Sequence, residues 1–127
     1  MTAVICPSGS YSAVTPARHF VYDSATVNGA VMANAKGRLA EAYTVLNSQT
    51  KTDLGFSYAP RREVTDVYQK TPSSGTYYHA SATYWESGLL KTLATNTALP
   101  TWTYNPDGEG RVLSVLAGSQ NLVSSTT

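Results

Sequence analysis

Tyr104-Asn105-Pro106-Asp107-Gly108-Glu109-Gly110-Arg111-Val112 is the stretch whose reading decides the fold. Just before it, Trp102 and Tyr104 are two residues apart and share one face of an extended strand. Asn105, Pro106 and Asp107 start turns through side-chain hydrogen bonds or a preset φ, and Gly110 can take φ > 0. Val112-Leu113-Ser114-Val115-Leu116 then supplies an aliphatic, β-branched return strand. The stretch reads as a hairpin. Working outward, the same order of tyrosine, turn and aliphatic return occurs three more times, twice with an aromatic residue two positions before the tyrosine. Phe20-Val21-Tyr22-Asp23 is answered by Gly37-Arg38-Leu39, Phe56-Ser57-Tyr58-Ala59-Pro60 by Arg62-Glu63-Val64, and Thr83-Tyr84-Trp85 by Gly88-Leu89-Leu90. From tyrosine to aliphatic residue the step is six in the second and third copies (58 to 64, 84 to 90) and eight in the fourth (104 to 112). In the first it is seventeen (22 to 39), read as a turn carrying an insertion around residues 25–34.

The return strands are expected over 39–45, 64–68, 89–93 and 112–116. Residues 30–43 contain helix formers with apolar positions at 32, 35, 39 and 42, but Gly37 in the middle favours strand-turn-strand. Polar stretches at 47–53, 71–75 and 96–100 read as loops between the hairpins. Residues 1–17 read as an ill-defined N-terminal segment and 18–127 as the hairpin units.

The whole chain fits this pattern. Its 127 residues amount to about one domain, 42% are hydrophobic, and only 13% are charged. Hydroxyls fill the gap: 17 Thr and 14 Ser accompany 9 Tyr, 9 Gly and 6 Pro, a mixture suited to pleated strands and tight turns. With 9 basic and 8 acidic residues and a net charge of +1, the sequence has no basic stripe for nucleic acid. It has no apolar run long enough to insert in a membrane and no signal peptide at its start. A single cysteine, Cys6, makes no internal disulfide, and His19 and His79 supply too few ligands for a closed zinc site, so neither metal nor cofactor is expected.

The Tyr22-Asp23 … Gly37-Arg38-Leu39 pair, the Tyr104-to-Val112 stretch and the degenerate Tyr58-Ala59-Pro60-Arg61-Arg62-Glu63-Val64 resemble the YD repeats of Rhs (rearrangement hotspot) proteins over roughly residues 18–118. Ala59 and Trp85 depart from the family's Asp, Arg62 from its Gly, and Glu63 and Leu89 from its Arg. The resemblance implies an all-β, antiparallel hairpin ribbon, an interior piece of the spiral shell with which bacterial toxin-delivery proteins, secreted or at the cell surface, enclose a cargo. The repeat-structural residues are then Tyr22, Asp23, Gly37, Arg38, Tyr58, Tyr84, Gly88, Tyr104, Gly110 and Arg111. Partners would be neighbouring repeats of a longer polypeptide or further copies of the chain. Cutting such a ribbon exposes unpaired strand edges, so closure into a small barrel or sandwich, or edge-to-edge pairing into oligomers, is expected.

No catalytic set emerges. Cys6 could serve as a nucleophile with His19 or His79, but no helix terminus or positive field activates it. Acid pairs such as Asp66 with Glu86, or Asp107 with Glu109, could be nominated for glycoside chemistry, yet turn formation accounts for Asp107 and Glu109. The alternative to a structural module is a carbohydrate- or protein-binding β domain in which Tyr77, Tyr78, Trp85 and Trp102 stack on a ligand.

Overall fold

The computed structural model describes residues Thr2–Val4 and 14–124. Cys6, most of the N-terminal segment and the last three residues lie outside that range. Every element is a strand, and no helix occurs among the described residues. The helical alternative over residues 30–43 is therefore not taken: Ala30–Val31 and Leu39–Leu46 are strands with a turn between them.

The chain divides into two compact units, Met1–Tyr78 and His79–Thr127. In the first, β1 (Thr2–Val4), β2 (Ala17–Tyr22), β5 (Leu39–Leu46), β6 (Gln49–Tyr58) and β7 (Val64–Lys70) pair in that order, all antiparallel. β3 (Thr26–Val27) and β4 (Ala30–Val31) form a separate small hairpin. In the second, β8 (Tyr78–Tyr84), β9 (Leu90–Thr95), β10 (Trp102–Pro106), β11 (Val112–Ala117) and β12 (Gln120–Val123) pair as an antiparallel meander. Neither sheet closes into the expected barrel or sandwich. Among the described residues β1 is paired only to β2 and β12 only to β11, so the open edges remain.

The hydroxyl-rich composition has a direct structural use. Thr44 faces Thr52 with oxygens 2.8 Å apart, Thr83 faces Thr92 at 2.6 Å, and the Asn105 amide donates to the Ser114 hydroxyl at 3.1 Å, each pair directly opposite across two strands. Such pairs link strands on surfaces that water still reaches, and each contributes roughly 0.2–1 kcal/mol.

One expectation about loops fails. Residues 47–53 are not a connector: the reversal is confined to Asn47 and Ser48 (φ 52° and 59°), and β6 begins at Gln49. A two-residue turn with both φ positive matches the right-handed twist of its strands, and Asn tolerates that conformation.

Among the described residues the buried apolar side chains, Val27, Met32, Ala35 and Ala40, all lie in the first unit, in and beside the 24–36 insertion. The insertion lies against β6 at Gly55, where a Cβ would come within 2.8 Å of Val27 Cβ and Cγ2 and 3.0 Å of Met32 Sδ. Glycine is what allows the two backbones to approach so closely. Hydrogen bonds pin the insertion there: the Tyr58 N–H donates to the Ala33 carbonyl (2.9 Å), the Ala33 N–H to the Ser57 hydroxyl (3.1 Å), and the Asn34 amide to the Tyr58 carbonyl (2.7 Å).

Candidate functional site

Two features could carry function: the repeated bends and a polar cluster on one face of the first sheet. The bends come first, because they hold most of the residues singled out in the sequence.

Three of them have the same backbone. The Ala59 N–H donates to the Glu63 carbonyl (2.8 Å) while the Arg62 N–H returns to the Ala59 carbonyl (2.9 Å). The same two bonds link Trp85 with Leu89 and Gly88 (both 2.8 Å), and Asp107 with Arg111 (2.8 Å) and Gly110 (3.1 Å). Each bend is thus a three-residue hairpin loop whose last residue is left-handed: Arg62, Gly88 and Gly110 have φ of 88°, 87° and 84°. Arg62 adopts the glycine conformation in spite of its Cβ.

The strand partners also reset one alignment. Tyr22, Tyr58 and Tyr84 pair with Leu39, Val64 and Leu90, each just after a register shift. In the fourth hairpin the shift precedes Pro106, which pairs with Val112, whereas Tyr104 pairs with Val115. Pro106 therefore takes the place of the tyrosine, and the fourth step is six residues (106 to 112), as in the second and third. Tyr104 sits one full strand repeat further from the bend than expected.

The first bend is a variation on this closure. The Asp23 N–H donates to the Arg38 carbonyl (3.1 Å), but Asp23 Oδ1 takes the Gly37 N–H (2.6 Å), replacing the backbone carbonyl used elsewhere. Gly37 has φ 75°. Arg38 lies over the Tyr58 ring, 5.0 Å from its centroid, and the Tyr58 hydroxyl donates to the Leu39 carbonyl (2.8 Å). In the fourth bend Asp107 accepts the N–H groups of Glu109 and Arg111 and the Arg111 Nε–H, all at 2.9 Å, and Arg111 also meets Glu109 at 2.6 Å. These bonds, led by the Arg111 N–H, hold the Asp107 carboxyl below its ordinary value of 3.8.

The four nominated stacking rings divide. Tyr77 and Trp85 are engaged internally: Tyr77 donates to Asp53, and the Trp85 Nε1–H donates to the Tyr104 carbonyl (3.1 Å) with Lys91 Nζ 4.5 Å from its ring centre. Tyr78 (54% exposed) and Trp102 (39%) face solvent. Among the described residues no set of three or more His, Cys, Asp or Glu converges as metal ligands do. Asp66 lies in β7 opposite Ser57, and Glu86 in the bend after Trp85.

No family model matches this chain, and no curated protein matches it significantly.

The polar cluster was not legible as a site. Register places Tyr43, Asp53 and Lys70 in one row across β5, β6 and β7, and Glu41, Gly55 and Tyr68 in the next. His19 pairs with Tyr43 and stacks on it, centroids 4.8 Å apart and planes 10° apart. Asp53 is 6% exposed, a depth at which a carboxylate needs partners. Its Oδ2 accepts the Tyr77 hydroxyl at 2.5 Å, while Oδ1 is buried with no donor. Lys70 Nζ lies 5.5 Å from the Tyr77 ring centre. Burial, followed by the Asp53 charge and a hydrogen bond to Asp53, raises the Glu41 carboxyl from 4.5 to about 7. Burial and the same acid raise the Tyr77 phenol to about 12. The signal that could have found this cluster was the Asn47-Ser48 turn: moving the start of the strand back to Gln49 puts Asp53 into the sheet on the face of Gly55 and Ser57.

Proposed function

We propose that the chain is a structural β-repeat module without catalysis of its own, a section of wall of the kind that the resemblance to YD-repeat shells implies. The recurring bend carries this reading. Three hairpins of unlike sequence close through the same pair of backbone hydrogen bonds, with a left-handed residue at the same place. Selection for geometry at the bends, with side chains free to vary, is what a ribbon of stacked hairpins requires. The open edges at β1 and β12 support it, because each presents backbone groups to a further strand. So does the scarcity of buried apolar side chains among the described residues, which leaves strand ladders and cross-strand pairs as the main source of cohesion there.

The test is size-exclusion chromatography with light scattering over a hundredfold range of concentration. Edge pairing predicts mass that rises with concentration and falls when a proline is placed in β12, for instance Leu122→Pro. A strictly monomeric chain at all concentrations removes the basis for the wall. Selective binding on a glycan or peptide array, lost in Trp102→Ala with an unchanged melting temperature, replaces it with the binding-domain reading.

A further inference from the structure

The third bend carries a side chain that its turn does not need. Ala59, Trp85 and Asp107 occupy the same place in three bends, and each closes its loop through the same two backbone hydrogen bonds. Alanine suffices there, so the indole of Trp85 is surplus to the turn. Its ring is nonetheless fixed in direction, because the Nε1–H donates to the Tyr104 carbonyl at 3.1 Å and ties one edge of the ring to the neighbouring hairpin. A ring held in this way loses little rotamer freedom when something is laid against it.

Around that ring the second unit forms an open cleft of about 540 Å³, a size that suits a small molecule. The cleft lies between the third and fourth bends. Tyr84, Trp85, Glu86 and Ser87 come from one, Pro106 from the entry to the other, and Lys91 from β9. Its chemistry is mixed. Two aromatic rings and a prolyl ring supply flat apolar surface, while the Glu86 carboxylate, the Ser87 hydroxyl and the Lys91 ammonium supply acceptors and donors. Lys91 Nζ lies 4.5 Å from the Trp85 ring centre, so the positive charge of the cleft stands on the aromatic platform and offsets the single negative charge of Glu86. With one charge of each sign, the cleft does not select an ion. The matching ligand is neutral, has an apolar face to lie on an aromatic ring, and carries a rim of hydroxyls that both donate and accept.

We propose that this cleft binds a neutral pyranose sugar, with Trp85 as the platform and Glu86, Ser87 and Lys91 as the groups that recognise its hydroxyls. Tyr84 and Pro106 complete the apolar lining. The site goes beyond the wall reading and does not rest on it, since it needs no open strand edge: sugar binding can fail while edge pairing stands, and the reverse.

The experiment is a nitrogen-15 NMR titration of the full chain with methyl β-glucoside, methyl β-galactoside, methyl α-mannoside and N-acetylglucosamine. The two tryptophans give separate indole N–H signals for Trp85 and Trp102. At least one sugar is expected to move the Trp85 indole and the backbone amides of 84–87 saturably while the Trp102 indole stays in place. Trp85→Ala abolishes the shifts, Glu86→Gln and Ser87→Ala each weaken binding by about threefold or more, and Trp102→Ala leaves it unchanged. Absence of saturable shifts with all four sugars overturns the proposal, as do shifts centred on Trp102 or undiminished binding in Trp85→Ala. A proline-rich peptide that moves the Trp85 indole where the sugars do not also overturns it, in favour of a peptide site. If Trp85→Ala fails to fold, the wild-type shift map and the two exposed loop variants decide: full affinity in both Glu86→Gln and Ser87→Ala overturns the proposal.

Discussion

The bend after Tyr22 and the bend after Pro106 share an Asp, a Gly-Arg pair and an aliphatic residue: Asp23 with Gly37-Arg38-Leu39, and Asp107 with Gly110-Arg111-Val112. In the short bend the backbone closes on itself, and Asp107 gathers the N–H groups and guanidinium of its own loop. In the long one, thirteen residues intervene between Asp23 and Gly37, and the Asp23 side chain bridges the gap by accepting the Gly37 N–H at 2.6 Å. The comparison teaches that the aspartate is the adaptable part of the closure. Because its carboxylate can replace a backbone carbonyl, the bend tolerates an insertion, and the insertion then brings in the core that the bare hairpins lack. The arginines diverge accordingly: Arg38 lies on the Tyr58 ring, whereas the Arg111 side chain, 73% exposed, pairs with the acids of its own turn.

The largest effect that sharpens this contrast is expected at Gly55. Gly55→Val drives a branched side chain into Val27 and Met32 and should cost about 3 kcal/mol, lowering the melting temperature by roughly 10 °C. Gly108→Ala, in the short bend, meets nothing within 4 Å and should leave the melting temperature within a degree or two. Next comes Asp23→Ala, which removes the bridge to Gly37 and leaves a residue with φ 73° that alanine disfavours, for about 2 kcal/mol by urea unfolding. If Asp107→Ala proves as damaging as Asp23→Ala, the long bend has no special dependence on its aspartate and the contrast is broken.

Smaller changes probe the left-handed position. Gly110→Ala, at φ 84° and with Leu89 Cδ1 3.4 Å from the new Cβ, should destabilise by about 1–2 kcal/mol. Arg62→Gly should do the reverse, stabilising by roughly 0.5–1 kcal/mol, because relief of strain at φ 88° exceeds the entropic disadvantage of glycine. The smallest effect is in acid. Asp107 is held below its ordinary value, so its contribution is present above about pH 4 and lost as pH falls through the depressed value. Asp107→Asn should therefore shorten the acid limb of the stability profile, measured as melting temperature between pH 4.5 and 2.5.

The hairpins could be read from the sequence because their signals are local. A strand face repeats every two residues, and a bend needs particular residues at fixed offsets. Tyr22, Tyr58 and Tyr84 each enter a bend where the pattern put them, and the insertion falls within the first. In the fourth hairpin Pro106, whose fixed φ starts a turn as well as a tyrosine-led entry does, stands at the bend, and Tyr104 pairs with Val115 further back. The cluster around Asp53 was illegible for a different reason: Glu41, Asp53 and Tyr77 are separated by 12 and 24 positions, and only the pairing of β5 with β6 and the hydrogen bond from Tyr77 to Asp53 bring them together.

By itself, then, the sequence determined an all-β chain of antiparallel hairpins, since alternation and turn chemistry act over a few residues and leave helices no foothold. Which residues are buried was decided only in three dimensions. The packing of the insertion on Gly55 and the enclosure of Asp53 depend on register and close approach, which arise from contacts between segments far apart in the chain.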